Sequence, residues 1–347
     1  MYDIITFGSA AQDIGLKSKD FKIFGDNKEF ATGQGICFTL GSKINIQDIS
    51  FTSGGGGSNV AVALARQGFK TAFCGAVGAD NTGREIIKEL KKEKVDVRFV
   101  VEKKEKQTNQ SIIIFDESQE RTILTYRGAA ELLTREDIPW KKIKAKWIYL
   151  APLTGLLLDS PKSADGGGCA LEDIVNFAAE NKIKVAINPS KQQLSLPENM
   201  LKNILQKTDI LFLNQEEASF LTKVSFEQEN EIFKKIDTMC SGVAVMTKGG
   251  QGVVASDGKY LYSALPNNDR KIVDTTGAGD SFAAGFLSDY IRNNGDIEKS
   301  IQLGLANSEA NLAEIGAKTG LLRKGDKFNR VNVVKEECGE NNLCIKK

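Results

Sequence analysis

Histidine is absent from all 347 residues of this chain. Serine–histidine–aspartate and cysteine–histidine hydrolysis, imidazole acid–base catalysis and His-ligated zinc or haem are thereby excluded, because each needs an imidazole. Any proton transfer falls to another group. An excess of one charge is also lacking: 46 basic and 45 acidic residues leave a net charge of +1, which predicts no nucleic-acid partner. Cys37, Cys74, Cys169, Cys240, Cys338 and Cys344 form no C-x-x-C pair, which argues against a structural zinc site and a dense disulfide framework. They read as reduced thiols of a cytoplasmic protein. No apolar run approaches the roughly 20 residues of a membrane span. The start, Met-Tyr-Asp-Ile-Ile-Thr-Phe-Gly, lacks a basic stretch followed by a long apolar one, so neither a membrane partner nor a signal peptide is expected.

Two phosphate-binding motifs are missing as well. The only Gly-Lys pair, Gly258-Lys259, is followed by Tyr260, so there is no G-x-x-x-x-G-K-[ST] loop. No G-x-G-x-x-G occupies the first strand–helix turn, which argues against a nicotinamide dehydrogenase. Glycine is nonetheless abundant, at 33 residues, and it clusters at 54–57, 166–168, 249–252 and 277–279. Such clusters mark turns or places where backbone approaches a ligand.

The length predicts about two domains, or one large α/β domain with an insertion. Residues 3–7 read as a buried strand. Residues 14–53 are polar, glycine-dotted and short-stranded, which suits a small β insertion. A helix (59–67), a strand (71–77) and a helix (82–93) follow. A second β-rich insertion at 97–127 is expected to pair with the first as one small sheet. From 146 to 247 strands and helices alternate, which predicts a mainly parallel sheet with helices on both faces. A hairpin at 252–263, turning at Asp257-Gly258, and helices at 278–293 and 297–315 complete the domain, taken as 1–323. The charged tail, 324–347, is expected to be loosely held.

The most informative segment is Val273-Asp-Thr-Thr-Gly-Ala-Gly-Asp-Ser-Phe282. A strand is expected to end near Asp274 and a helix to start a few residues on, so the backbone N–H groups of Gly277, Ala278 and Gly279 converge on an anion, aided by the helix dipole. Asp280 then sits in the first helical turn. A carboxylate beside an anion hole makes chemical sense if it takes a proton from a hydroxyl while the amides stabilise the phosphoryl group that hydroxyl attacks. Taken alone, Gly-x-Gly-Asp equally describes a capping aspartate in a glycine-rich turn.

Asp-Thr-Thr-Gly-Ala-Gly-Asp-Ser-Phe resembles the C-terminal signature of the PfkB (ribokinase-like) carbohydrate and nucleoside kinases, and Gly54-Gly-Gly-Gly-Ser-Asn-Val-Ala61 resembles the N-terminal one. The likeness spans about residues 3–322. It implies a ribokinase-like α/β fold: a central, mainly parallel sheet flanked by helices, with a lid made from the two insertions. It implies ATP and Mg²⁺, with Asp280 as catalytic base and Gly277, Ala278 and Gly279 as its anion hole. Asp13 and Asn59 fall where family members hydrogen-bond sugar hydroxyls, and Gly55 where backbone approaches the sugar. Asn214-Gln-Glu-Glu217 matches an Asn-x-x-Glu motif associated with Mg²⁺. Its spacing puts both ends on one helix face, and hard oxygen ligands suit this ion, although a capping Asn before a solvated acidic face has the same pattern. Thr247, Gly249 and Gly252 resemble a nucleotide loop, Asn188 lies where an Asn-Pro segment nears the phosphates, and Asn307 where the adenine is flanked. Asp274 and Thr276 match positions that bind a monovalent cation such as K⁺ in some members.

Departures from the pattern bear on the substrate. Ribose-specific members usually carry Asn at the place of Ala11, Lys at that of Gly56 and Glu near Leu150-Ala-Pro152, and losing such partners undercuts a ribose assignment. A nucleoside or a modified sugar is the alternative. Arg127 is either a lid-edge contact to the substrate or a surface arginine, and the lysine-rich runs at 91–94 and 141–146 read as solvated faces. The expectation is an ATP-dependent kinase acting on a sugar or nucleoside hydroxyl. A non-catalytic sensor on the same scaffold and a vitamin-type hydroxymethyl kinase are the rivals. A homodimer through the lid is left open.

Overall fold

Tyr2–Phe7 lies inside the molecule because both its faces are apolar: Ile5 and Phe7 enter one buried cluster and Ile4 the other. The computed structural model describes residues 1–25, 35–115, 121–158, 169–267 and 271–337. The glycine cluster at 166–168, Cys338, Cys344, part of the first insertion and the end of the tail lie outside them. Among the described residues Cys37, Cys74 and Cys169 are free thiols, and no helix is long and apolar enough to cross a membrane.

Among the described residues the central sheet has ten strands. Asp96–Lys103, Thr71–Gly78, Tyr2–Phe7, Ala145–Leu150, Lys184–Ile187, Ile210–Asn214 and Val243–Thr247 pair in parallel in that order. Val253–Ser256, Tyr260–Ala264 and Val333–Glu337 extend it as antiparallel strands. After Tyr2–Phe7 the chain adds strands on one side, then crosses to Ala145–Leu150 on the other. The strand order therefore reverses between these two, the kind of crevice where open α/β sheets place their ligands.

The small sheet pairs Asp48–Gly54, Ala11–Lys17, Asn109–Phe115 and Arg121–Tyr126, so strands from the two insertions share one small sheet, here called the lid. Lys22–Phe24 and Gly35–Cys37 make a separate pair.

Three local expectations need correction. The start of the second insertion belongs to the central sheet, because Phe99 on Asp96–Lys103 is buried in the core although charged residues surround it in sequence. No strand ends at Asp274; instead, the N–H groups of Val273 and Asp274 bond the Leu312 carbonyl. The tail is not loose up to Glu337: Val333–Glu337 pairs with Tyr260–Ala264, and the Lys335 ammonium sits 4.2 Å and 5.2 Å from the Tyr260 and Tyr262 ring centres.

Helix Ala278–Arg292 is held close to helix Ile297–Leu312 by two glycines. A Cβ on Gly285 would lie 2.6 Å from the Leu303 carbonyl oxygen, and one on Gly304 2.9 Å from the Phe282 ring. Phe282 and Phe286 bury the inner face of the first helix, and the position of its N-terminus follows from that packing.

Candidate active site

Gly277 caps helix Ala278–Arg292 at φ 80°, a left-handed conformation in which a Cβ would also lie 2.5 Å from that of Ala317. Only glycine fits there. The first four-residue bond of the helix runs from Ser281 N–H to the Gly277 carbonyl at 2.8 Å, while Ala278 N–H makes a long, 3.4 Å bond to the Thr275 carbonyl; helix starts leave such N–H groups short of ladder partners. A Cβ on Gly279 would meet open space. The turn thus presents small residues and forward-facing amides to a cleft. Asp274 anchors it, since its Oδ1 accepts from Thr276 N–H at 2.8 Å and its Oδ2 from Gly316 N–H at 2.9 Å.

A second helix start faces this one. Gly55, at φ 97°, precedes helix Gly56–Arg66, and a Cβ there would lie 2.5 Å from the Ser9 carbonyl oxygen. The glycine run therefore lets this helix begin against the loop that leaves the first strand. Its first turn delivers Asn59, whose Nδ2 donates to Asp280 Oδ2 at 2.8 Å across 221 residues of sequence. Asn59 is 4% exposed, and its Oδ1 has no partner among the described residues. Asp13, on lid strand Ala11–Lys17, is also buried, and its carboxylate lies over Gly54, where a Cβ would sit 2.0 Å from Asp13 Oδ2.

The electrostatics of Asp280 follow from this crowding. Burial pushes its carboxyl above the usual range, the Asn59 amide pulls it down, the Asp13 carboxylate raises it and the Lys318 ammonium lowers it. A carboxylate that holds its proton better than an exposed aspartate has the chemistry to exchange one nearer neutral pH.

The nucleotide-side expectations divide. A cleft of about 560 Å³ opens beside the Gly277 turn, lined by Gly249, Gly250, Thr275, Ala278, Leu305, Ser308, Glu309 and Leu312 among others. Gly249 belongs to it. Gly252 instead closes the turn behind it, with φ 89° and no room for a Cβ beside the Ala264 carbonyl. Thr247 ends a strand, with its hydroxyl 3.5 Å from the Leu213 carbonyl. Asn188 is partly exposed and donates to the Phe212 carbonyl at 3.1 Å.

Asn307 does not line the cleft: its Nδ2 donates to the Ser281 carbonyl at 2.7 Å and its Oδ1 accepts from Leu322 N–H at 2.8 Å. Residues 305, 308, 309 and 312 form the cleft-facing stripe of that helix, and 307 points to the opposite side. The stripe's i, i+3, i+4, i+7 spacing was visible in the sequence.

Asn214 and Glu217 form a capping box, in which Asn214 Oδ1 accepts from Glu217 N–H at 2.8 Å and Glu217 Oε2 from Asn214 N–H at 2.9 Å. Burial raises the Glu217 carboxyl. Arg127 is exposed, as are the lysines of the 91–94 and 141–146 runs. Two residues escaped sequence reasoning. Lys318 is a buried lysine donating to Ser53 Oγ at 2.9 Å, and Tyr149 is fully buried, with a hydroxyl that feels the charges of both Asp280 and Glu217 but has no partner among the described residues. A second cleft, about 590 Å³, is lined by Ser53, Glu89 and Lys318 among others but by neither Asp280 nor Asn59.

The sequence profile of pfkB family carbohydrate kinases matches residues 30–324, and the chain belongs to that family. It is a sugar or nucleoside kinase, a phosphotransferase with an alcohol group as acceptor. It is 26% identical to a ribokinase of Haemophilus influenzae over 284 residues, covering 81% of this chain and 88% of that one. It is 27% identical to a nucleoside kinase of Methanothermobacter thermautotrophicus, covering 80% and 84%. The solved structure of a ribokinase from Thermotoga maritima superposes with a TM-score of 0.73 at 20% identity, covering 93% of this chain and 97% of that one, and confirms the ribokinase-like fold.

Proposed function

We propose that this kinase transfers the γ-phosphoryl group of ATP to a hydroxyl, a primary alcohol, of a nucleoside or modified sugar, with Asp280 as the general base. The observation that carries this reading is the Asn59–Asp280 pair. Two residues far apart in sequence meet beside an anion-hole turn, and Asn59 Oδ1 is left as a buried acceptor awaiting a hydroxyl donor. Asp280 accepts the proton of the attacking hydroxyl as the amides of Gly277, Ala278 and Gly279 stabilise charge on the transferring group. Asp13, Asn59 and the backbone at Gly55 orient the acceptor, and lid closure excludes water that would otherwise be phosphorylated. Gly249, Gly252, Thr247 and Asn188 shape the nucleotide side.

Gly56 favours an acceptor bulkier than ribose. A side chain there would begin 3.1 Å from Pro152 and 3.3 Å from Asp280 Oδ1, so glycine leaves that side of the base open.

The donor set fits Mg²⁺ that keeps much of its water. Among the described residues no cluster of three His, Cys, Asp or Glu could cage a metal, while Glu217 keeps one oxygen outside its capping bond. Bound there, Mg²⁺ supplies charge neutralisation of the nucleotide phosphates; Asn214 and Glu217 are proposed to orient its water shell. Asp274 gives both oxygens to backbone N–H groups, so no step is routed through a monovalent cation at Asp274 and Thr276, and activity with K⁺ against Na⁺ tests that site.

The decisive experiment is ADP release from MgATP with D-ribose, D-fructose, adenosine, cytidine, pyridoxal and hydroxymethylpyrimidine, beside calorimetric binding. Turnover on a nucleoside or sugar that Asp280→Asn abolishes supports the reading. Saturable binding with no turnover on any of them would overturn it in favour of a sensor.

The outer face of the lid, where Ile49, Phe51, Ile112, Leu124 and Tyr126 are exposed, supports a homodimer through the lid. Phe51→Glu should then lower the mass measured by light scattering. The free thiols agree with a cytoplasmic setting.

A further inference from the structure

The loop that follows helix Ile297–Leu312 touches both the Gly277 turn and the lid. Ala317 packs against Gly277, Gly316 N–H holds Asp274, and a Cβ on Gly316 would meet the Thr52 methyl of the lid at 2.9 Å. At its centre is Lys318, 6% exposed. Its Nζ donates to Ser53 Oγ at 2.9 Å and lies 3.4 Å from Glu89 Oε1, while Ser53 Oγ donates to that same Glu89 oxygen at 2.6 Å. Its carbonyl accepts from Arg66 at 2.5 Å, and Arg66 is itself forked onto Glu93. Ser53 immediately precedes Gly54, the residue beneath the Asp13 carboxylate. Glu89 belongs to helix Asn81–Lys92 of the main body. One buried ammonium thus clamps the lid strand to the body at the point where that strand supports Asp13.

We infer that Lys318 is a positioning residue for phosphoryl transfer: its ammonium, bonded to Ser53 of the lid strand and paired with Glu89 of the body, holds the Asp13 end of the lid in place beside Asp280. Two buried like charges that both face an acceptor hydroxyl repel each other. The groups facing Asp280 are Asn59 from helix Gly56–Arg66, Asp13 from the lid, Lys318 from this loop and Tyr149 from the sheet. Lys318 alone among them is a cation. It is faced by Glu89, Asp13 and Arg66, and its charge opposes the rise that burial and Asp13 impose on the Asp280 carboxyl. A neutral residue at 318 would leave Asp280 protonated at a higher pH, and so unable to accept the hydroxyl proton there.

The inference rests on Asp280 as the base, and the test separates the two. In the full-length protein with MgATP and the best acceptor of the panel above, Lys318→Met should lower kcat/KM at neutral pH by about 10- to 100-fold, the scale of a misplaced reacting group. It should raise KM for the acceptor and move the acid limb of kcat/KM to higher pH. Lys318→Arg should restore the limb. Because removing one member of a buried pair harms folding, Lys318→Met/Glu89→Gln provides a balanced background in which the limb must stay displaced. The ¹³C carboxyl signal of Asp280, assigned by its loss in Asp280→Asn, should titrate higher in both Met variants without any turnover being needed. An unchanged limb and an unchanged Asp280 titration in the balanced variant, with Asp280→Asn inactive, would sink the role of Lys318 alone. Full turnover in Asp280→Asn would sink both.

Discussion

Two asparagine–carboxylate pairs in this kinase behave differently. Asn214 and Glu217 are three residues apart and exchange two bonds with each other's backbone N–H, a closed cap that gives the exposed amide oxygen a local partner. Asn59 and Asp280 meet only because two helix starts converge, and their single bond leaves Asn59 Oδ1 buried and without a partner among the described residues. A pair satisfied by its own helix explains local folding. A long-range pair that leaves a polar atom unmet, at a cost of about 1–3 kcal/mol if nothing ever fills it, points to a ligand.

The widest separation between the pairs is expected at the base. Asp280→Asn should lower kcat by about 10² to 10⁴ with ATP still bound, the share of a general base; calorimetry with ATP beside steady-state kinetics checks both halves. The same variant should melt higher than wild type at neutral pH. The sign follows from the raised Asp280 carboxyl: between the unfolded and the folded value the native state binds more protons, so stability falls as pH rises through that window, and the uncharged residue escapes the loss. The gap in melting temperature should therefore close as pH drops into the ordinary carboxylate range. A gap that widened on acidification would contradict the assigned burial.

Next in size is Asn59→Ala. Losing one buried acceptor for a substrate hydroxyl and one donor to Asp280 should cost about 10- to 100-fold in kcat/KM, seen in acceptor KM as well as in kcat. An effect on stability alone would put this pair in the same class as the cap.

Asn214→Ala should reduce stability by about 1 kcal/mol, the worth of an N-cap, measured by urea unfolding. If Asn214 and Glu217 also orient the water shell of Mg²⁺, the Mg²⁺ concentration for half-maximal rate should rise; if it does not move, the pair is a cap and nothing more. The smallest change is expected of Tyr149→Phe. It removes an unmet buried hydroxyl at little cost in shape, so stability should stay level or increase slightly, and a clear loss of kcat would show that the hydroxyl has a partner during turnover.

Much of this was legible in the sequence for a physical reason. Within the runs 54–57 and 277–279, Gly55 at φ 97° and Gly277 at φ 80° hold left-handed backbone with no room for a Cβ, which other residue types rarely adopt. The parallel sheet was legible because its strands alternate with amphipathic helices. Strand Asp96–Lys103 was less so, since its charged residues masked the one buried aromatic that docks it. Asn307 was misplaced because a likeness in position does not report which side of a helix faces a cleft.

What the chain by itself determined is local: no imidazole, a carboxylate set in a helix start framed by glycine, and the order of strands and helices. Short-range sterics and hydrogen bonding act over a few residues, so a linear pattern records them. What only the tertiary structure decided is which charges share a space. Lys318 is one lysine among many in the sequence, and burial beside Ser53, Glu89 and Asp13 is what sets it apart. Electrostatic coupling depends on distance and desolvation, and neither exists until the lid, the body and the closing loop have packed together.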